Sequence, residues 1–346
     1  MKSLLVKVFA LIVLLPACNT QNLAIQSPIP PTLFASTTAT KYVTAITPTR
    51  TRTPTNTAIP TSTSTSTLTA TATQTFDINK VGTVEKHVDY CVNSGIALKM
   101  DVYYPNSAAA PWSTIILIHG GRWTAGDKAA HAGLRYLDPL LAKNFLVVSI
   151  NYRLAPDHPF PANIIDVKCA IRSLRANAIH YNLHPLKIGL LGTSAGAHLS
   201  SLAGLAGSSA GFDTSDGYPN TSSRVQAVAS LYGPTDFSFS CKDDLVKLIF
   251  EARDCKDTAV LSAASPLSYV GGNAPPFLLI HGEKDKVVIP KHSKLLHRVL
   301  SGAGAWVKLI LVENAGHGFL SVSGPIDPKK AEISKIIVDF FVQKLQ

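Results

Sequence analysis

The sequence predicts an α/β domain: a mostly parallel sheet with helices on both faces and an antiparallel hairpin at its N-terminal edge. Three observations predict it. Short, predominantly apolar runs recur at 113–117, 146–150, 187–191, 225–231, 277–280 and 307–312. Segments with helical spacing lie between them. Strands that are apolar along their length are buried on both faces, which is how parallel strands sit under two helical layers.

The elements follow in order. Residues 84–104 alternate more than the later runs and give the edge hairpin. The runs at 113–117 and 146–150 are the first buried strands. A helix over 162–178 follows the Pro159-Phe160-Pro161 turn, and 187–191 is the next strand. Small residues over 195–205 make a close-packing helix, and 225–231, 277–280 and 307–312 complete the sheet. Residues 329–345 close the chain as a helix, with Ile333, Ile336, Ile337, Phe340 and Phe341 at helical spacing.

The 346 residues would hold two ordinary domains or one large one with extras. Hydrophobic residues make up 46% of the chain, so a large core is available. Charged residues make up only 16%, below the usual quarter, which points to a long uncharged polar segment. That segment is 19–75, rich in Thr, Ser, Pro and Ala and without an apolar period. It is expected to be a disordered tether, because it offers too little burial to offset ordering entropy. A flexible chain of that length spans roughly 40 Å. Before it, 1–18 reads as an export signal. Lys2 and Lys7 give a positive start, and the apolar run 8–15 is too short to span a bilayer. Leu15-Pro16-Ala17-Cys18 resembles a lipoprotein cleavage box, which makes Cys18 the expected lipidation site and anchors the protein to a membrane. Ordinary signal cleavage, or a plain core cysteine, is the alternative. The folded domain is expected over 76–346.

The net charge of +10 is spread thinly, with no dense Lys/Arg run and no aromatic–basic interleaving, so nucleic acid is not an expected partner. The cysteines are Cys18, Cys91, Cys169, Cys241 and Cys255. None forms a C-x-x-C pair, and no metal site or redox motif is expected. Cys241 and Cys255 could pair in an oxidising compartment. Leu245, Leu248 and Ile249 suggest a helix between them, however, and a continuous helix would hold the ends about 20 Å apart. The balance is against a bridge.

Gly192-Thr193-Ser194-Ala195-Gly196 carries the strongest chemical signal. It follows an apolar strand and opens a helix, so Ser194 sits on a tight turn with its hydroxyl exposed at the end of the sheet. The flanking glycines are needed where a Cβ would crowd the turn. His119-Gly120-Gly121-Arg122-Trp123 follows another buried strand. There the backbone N–H groups of Gly120 and Gly121, with that of Ala195, could hold a developing oxyanion. A serine nucleophile needs a base and an orienting carboxylate. His317, just after the last strand, is the expected base. His119 and His281 are expected to organise loops, and His198 to be a packed helix residue. Asp285 follows the strand at 277–280 and falls between Ser194 and His317 in chain order. Glu283 and Asp236 are the runners-up. Residues 236–264 are expected to form an insertion near the site.

From about Thr114 onward the chain resembles the hormone-sensitive-lipase-like and feruloyl-esterase-like branch of the α/β-hydrolases. The residues carrying the likeness are the two glycine motifs, Tyr152-Arg153-Leu154-Ala155-Pro156-Asp157-His158-Pro159-Phe160-Pro161, and Ala274-Pro275-Pro276-Phe277 leading to His281-Gly282. The resemblance implies an α/β-hydrolase fold and a serine esterase that needs no metal or organic cofactor. It implies Ser194, Asp285 and His317 as triad, and Gly120, Gly121 and Ala195 as oxyanion donors. Small-molecule or polysaccharide esters are the implied substrates. The chain departs from the family where many members carry a third glycine: here Arg122 stands, which puts the adjoining acyl or leaving-group pocket in question. Amide or peptide hydrolysis on the same fold, and an inactive tethered binding module, are the competing readings.

Overall fold

The computed structural model describes residues 76–346 apart from 108, 110, 130, 215 and 216. The export signal, Cys18 and the tether lie outside the described residues. The chain divides into Met1–Leu68 and Thr69–Gln346, and the described residues all belong to the second unit.

The strands are β1 (Val84–Asn93), β2 (Ile96–Tyr103), β3 (Trp112–Ile118), β4 (Leu146–Ile150), β5 (Leu183–Thr193), β6 (Ala227–Leu231), β7 (Phe277–Gly282) and β8 (Val307–Val312). The α-helices are α1 (His131–Leu134), α2 (Leu137–Leu141), α3 (Ala162–Ala176), α4 (Ala178–Tyr181), α5 (Ala195–Leu205), α6 (Asp244–Phe250), α7 (Thr258–Ala264), α8 (Lys291–Gly302) and α9 (Lys330–Leu345). One eight-stranded sheet runs in the order β1-β2-β4-β3-β5-β6-β7-β8. β1 and β2 are antiparallel, as is the β2–β4 pair, and every pair from β4 to β8 is parallel. This is the predicted architecture. The hairpin turns at Ser94-Gly95, where both residues have positive φ, as a two-residue turn matched to strand twist requires.

β3, β4, β6 and β7 are buried at every residue. Their side chains divide by alternation. Ile116, Ile118, Val148, Leu190, Val228 and Leu279 face one cluster with α3, α5 and α8. Ile115, Leu117, Val147, Leu191, Ala229 and Ile280 face the other, with α2 and α9. Fully burying each Val, Leu or Ile among them contributes about 1.5–3 kcal/mol. The predicted helix over 162–178 is interrupted at Asn177, whose side chain turns back to the Ser173 carbonyl. β5 begins earlier than predicted, at Leu183, because the chain pairs with β3 as soon as it leaves α4.

The balance against a Cys241–Cys255 bridge is overturned. α6 spans only Asp244–Phe250 and stops at Glu251, which takes a left-handed conformation (φ 53). The chain then reverses, held by the Arg253 N–H on the Asp257 carboxylate, and the two cysteines meet with Cα atoms 4.9 Å apart in a disulfide. A helix of two turns is not the continuous rod that the spacing of Leu245, Leu248 and Ile249 suggests. A second disulfide joins Cys91 of β1 to Cys169 of α3. Nothing in their sequence spacing pairs them; they meet because α3 packs under the edge hairpin.

Two histidines are packed inside as neutral groups. On α5, His198 donates from Nε2 to the Ala264 carbonyl at 2.8 Å and accepts the Trp123 indole N–H at Nδ1, 3.0 Å away. Burial pushes its pKa down to about 4. On α8, His292 accepts the Thr235 backbone N–H at Nδ1. Burial, then the neighbouring His281, lower it to about 4. Both bind protons more readily when unfolded. They therefore contribute stability above pH 6.5, which is lost as pH falls toward 4.

Two measurements test these features. The melting temperature should fall steadily between pH 6.5 and 4; His198→Gln should lower stability at neutral pH yet flatten that slope. Titration in denaturant without reductant should find no free thiol from Cys91, Cys169, Cys241 or Cys255. Cys169→Ser should cost about 4.5 kcal/mol and Cys255→Ser about 3 kcal/mol by loop-closure entropy, read from urea unfolding.

Candidate active site

Ser194 stands between β5 and α5 with φ 53 and ψ −117, a conformation unfavourable for any residue with a side chain. Its N–H is held by the Leu231 carbonyl at 2.9 Å and its own carbonyl by the His198 N–H at 3.0 Å. Close packing permits this turn. A Cβ at Gly196 would stand 2.0 Å from the Ile118 carbonyl oxygen, so only glycine lets α5 start against the end of β3. The hydroxyl therefore projects at the carboxyl end of the sheet, where open α/β sheets carry their sites.

His317 opens a single 3-10 turn beyond β8. Its Nε2 lies 2.9 Å from Ser194 Oγ and its Nδ1 lies 2.7 Å from Asp285 Oδ2. The Tyr232 ring packs against the imidazole in a T-shaped arrangement, with centroids 4.9 Å apart. Asp285 is buried at the turn after β7 and accepts the Val287 and Val288 N–H groups at 2.9 and 3.0 Å. Burial pushes its carboxyl pKa up, but hydrogen bonding from His281, His317 and the Val288 N–H outweighs this and holds it well below the usual carboxylate range. The group is a carboxylate at any ordinary pH and can only accept. The proton therefore sits on His317 Nδ1, and Nε2 is left to accept the serine hydroxyl.

His281 braces this loop from beneath: Nε2 donates to the Val288 carbonyl at 2.8 Å and Nδ1 takes the Ser293 hydroxyl at 2.7 Å. The runners-up do not join the site. Glu283 is exposed and uses its N–H on the Val312 carbonyl. Asp236 caps a short 3-10 turn through the Ser238 N–H at 2.9 Å.

Gly120 abuts the serine; a Cβ there would come within 3.2 Å of Ser194 Cβ. Among the described residues, the N–H groups of Gly120, Gly121 and Ala195 donate to no protein acceptor and remain available to a ligand. Gly121 (φ 127), Arg122 (φ 57) and Trp123 (φ 61) form three consecutive positive-φ residues. A left-handed conformation costs roughly 1–2 kcal/mol per residue bearing a Cβ. Trp123 offsets this by burying its ring among His198, Phe237 and Phe250. Arg122 gains no such burial. It is exposed, and among the described residues it has no hydrogen-bond or ion-pair partner.

Trp123 anchors the glycine loop, a role that sequence reasoning did not assign although its adjacency to the glycines was a signal for it. Tyr232 has no sequence signal beyond following β6. The stretch from Tyr152 proves to be a brace. Tyr152 stacks on His119 at 4.4 Å and donates its hydroxyl to the His119 carbonyl, while Arg153 grips buried Asp166 with Nε and Nη2 at 2.8 Å each. His119 and His281 thus organise loops, and His198 is a packed helix residue. Part of the 236–264 segment reaches the site region through Phe250 against Trp123. Among the described residues, no group of three or more His, Cys, Asp or Glu side chains could hold a metal ion.

The family model BD-FAE matches residues 100–300. Esterase LipQ of Mycobacterium tuberculosis is 34% identical over 212 residues, covering 59% of this chain and 50% of that protein. Esterase LipC of the same organism is 33% identical over 223 residues, covering 62% and 55%. The chain thus spans about half the length of these relatives. Among solved structures, a truncated carbohydrate esterase from gut microbiota is 30% identical, with a TM-score of 0.68 over 77% of this chain and 98% of that one. Thermogutta terrifontis esterase 2 shares the fold at 22% identity and a TM-score of 0.64, over 75% of this chain and 94% of its own. With this sheet order and a family match over more than half its length, the chain belongs to the BD-FAE family, on the α/β-hydrolase fold.

Proposed function

We propose that the protein is a carboxylic-ester hydrolase that works through a covalent serine intermediate. The observation that carries this reading is the hydrogen-bonded line from Ser194 Oγ through His317 to Asp285, at 2.9 and 2.7 Å. Ser194 attacks the ester carbonyl while His317 Nε2 takes its proton. The N–H groups of Gly120, Gly121 and Ala195 stabilise the oxyanion of the tetrahedral intermediate. Collapse breaks the bond to the alcohol oxygen, which receives the proton from His317. Water, deprotonated by the same imidazole, then attacks the acyl-enzyme; collapse breaks the acyl bond to Ser194 Oγ, which takes the proton back from His317, and the acid leaves. Asp285 fixes the imidazole tautomer and stabilises the imidazolium. The sequence of steps needs no metal or organic cofactor.

The names of the relatives, esterase and carbohydrate esterase, support ester rather than amide chemistry. The substrate class carried over is a small-molecule or polysaccharide ester. Export is part of the same proposal, with Cys18 as lipid anchor and 19–75 as spacer. The two disulfides of the described residues support it, because such bonds persist in oxidising compartments.

Ser194→Ala should lower kcat about a million-fold, the scale at which a serine triad loses its nucleophile. Asp285→Asn should lower it about 10⁴-fold by freeing the tautomer, whereas Asp236→Asn should be mild. Turnover of 4-nitrophenyl acetate by folded variants decides this, and near-normal activity in Ser194→Ala would end the proposal. For export, mass spectrometry of the mature N-terminus should find a lipidated Cys18. Cys18→Ser should release or misprocess the protein, and a chain beginning at Phe76 should keep full activity on small esters. An unmodified start elsewhere would refute the anchor alone.

A further inference from the structure

Among the described residues, the strain at Arg122 has no return. Glycine is the relaxed residue at φ 57, yet an arginine holds the position. Its neighbour Trp123 recovers the strain by burial and by an indole hydrogen bond to His198. Arg122 recovers nothing: it is exposed and, among the described residues, makes neither a hydrogen bond nor an ion pair. A strained residue held beside a candidate nucleophile invites a functional reading.

Its place in the chain says what that function would serve. Gly120 lies against Ser194, and two residues of chain span at most about 7 Å. Because the Trp123 side chain is anchored in the interior, Arg122 is held in position by both chain neighbours rather than on a loose loop. A guanidinium is always charged and offers a planar fork of N–H donors matched to a carboxylate. The buried carboxylate of the site does not occupy it: Asp285 is held by His317, Val287 and Val288.

We infer that Arg122 is a specificity-determining residue that receives a carboxylate on the substrate, within a side chain's length of the scissile ester. The inference rests on the esterase reading above and narrows it: the preferred substrates are anionic esters, with the carboxylate on the acyl side or on the alcohol side. A neutral ester would still reach Ser194 but would leave the guanidinium unpaired.

The test compares matched esters on the full chain. The acyl-side pair is 4-nitrophenyl hemisuccinate and 4-nitrophenyl butyrate; the alcohol-side pair is 4-acetoxybenzoate and its methyl ester. The readout is the ratio of kcat/KM, anionic over neutral, so a general loss of activity cancels. In Arg122→Gly and Arg122→Gln the ratio should fall about tenfold for one pair, as loss of a charge-assisted hydrogen bond predicts. Arg122→Lys should retain most of it, and raising the salt should shrink the wild-type ratio toward that of Arg122→Gln. Ratios unchanged in both pairs and in both neutral variants would overturn the inference and leave the esterase reading standing. Wild type hydrolysing none of the four esters would instead remove the esterase reading. Calorimetry of succinate against butyrate on wild type and Arg122→Gly then decides the carboxylate alone: an unchanged affinity ratio overturns it, and a tenfold fall supports it.

Discussion

The contact on which the site depends is the approach of α5 to the end of β3. At Gly196 the helix backbone comes so near the Ile118 carbonyl that no side chain fits between them. That approach forces the chain to reverse within one residue, and Ser194 absorbs the reversal at φ 53, ψ −117. The strain persists because both faces of the sheet are packed. Relaxing the serine would move α5 off β3 and β6 and open buried surface on Leu199 and Leu202. The hydroxyl's exposure follows from the interior packing and is not a property of the loop alone.

The carboxylate answers to a different constraint. Asp285 is buried, which by itself favours the neutral acid. It stays ionised because two backbone N–H groups and the imidazole of His317 point at it, with His281 close behind. Each donor comes from its own turn or from a loop bonded to it, so the same hydrogen bonds that satisfy the acid also shape the segment that carries it.

The fold was legible where one physical rule acted alone. Apolar runs marked β3, β4, β6 and β7, because burial on both faces leaves nothing else for those strands to be, and β8 at the sheet edge carried a similar run although only Val312 is fully covered. The α5 boundaries were legible because Ser194 and the small residues after it can serve few other purposes. What the sequence hid was settled by meetings in space. Cys91 and Cys169 lie 78 residues apart and are joined only because α3 passes under the hairpin. Cys241 and Cys255 are joined because Glu251 turns left-handed, and glutamate carries no mark of that choice. The positions of Ser194, His317 and Asp285 relative to one another were foreseeable from strand order, since each follows a parallel strand. The backing of His317 by Tyr232 was not, because that ring reaches the site from β6 with no motif to announce it.

The loops after β7 and β8 are stitched directly to each other: Glu283 N–H binds the Val312 carbonyl and Lys284 N–H the Ala315 carbonyl. Ser194 has no such stitch to them. It stands on β5, and β6 intervenes, bonded to the serine through Leu231 and to β7 through Tyr232. The three groups therefore fall into two mechanical bodies. A shear of the sheet along β6 would carry the imidazole and its carboxylate together and would be taken up between imidazole and hydroxyl. On the proposed mechanism, the bonded pair of loops holds the proton on His317 Nδ1, and the more compliant joint is the one across which the serine proton would move.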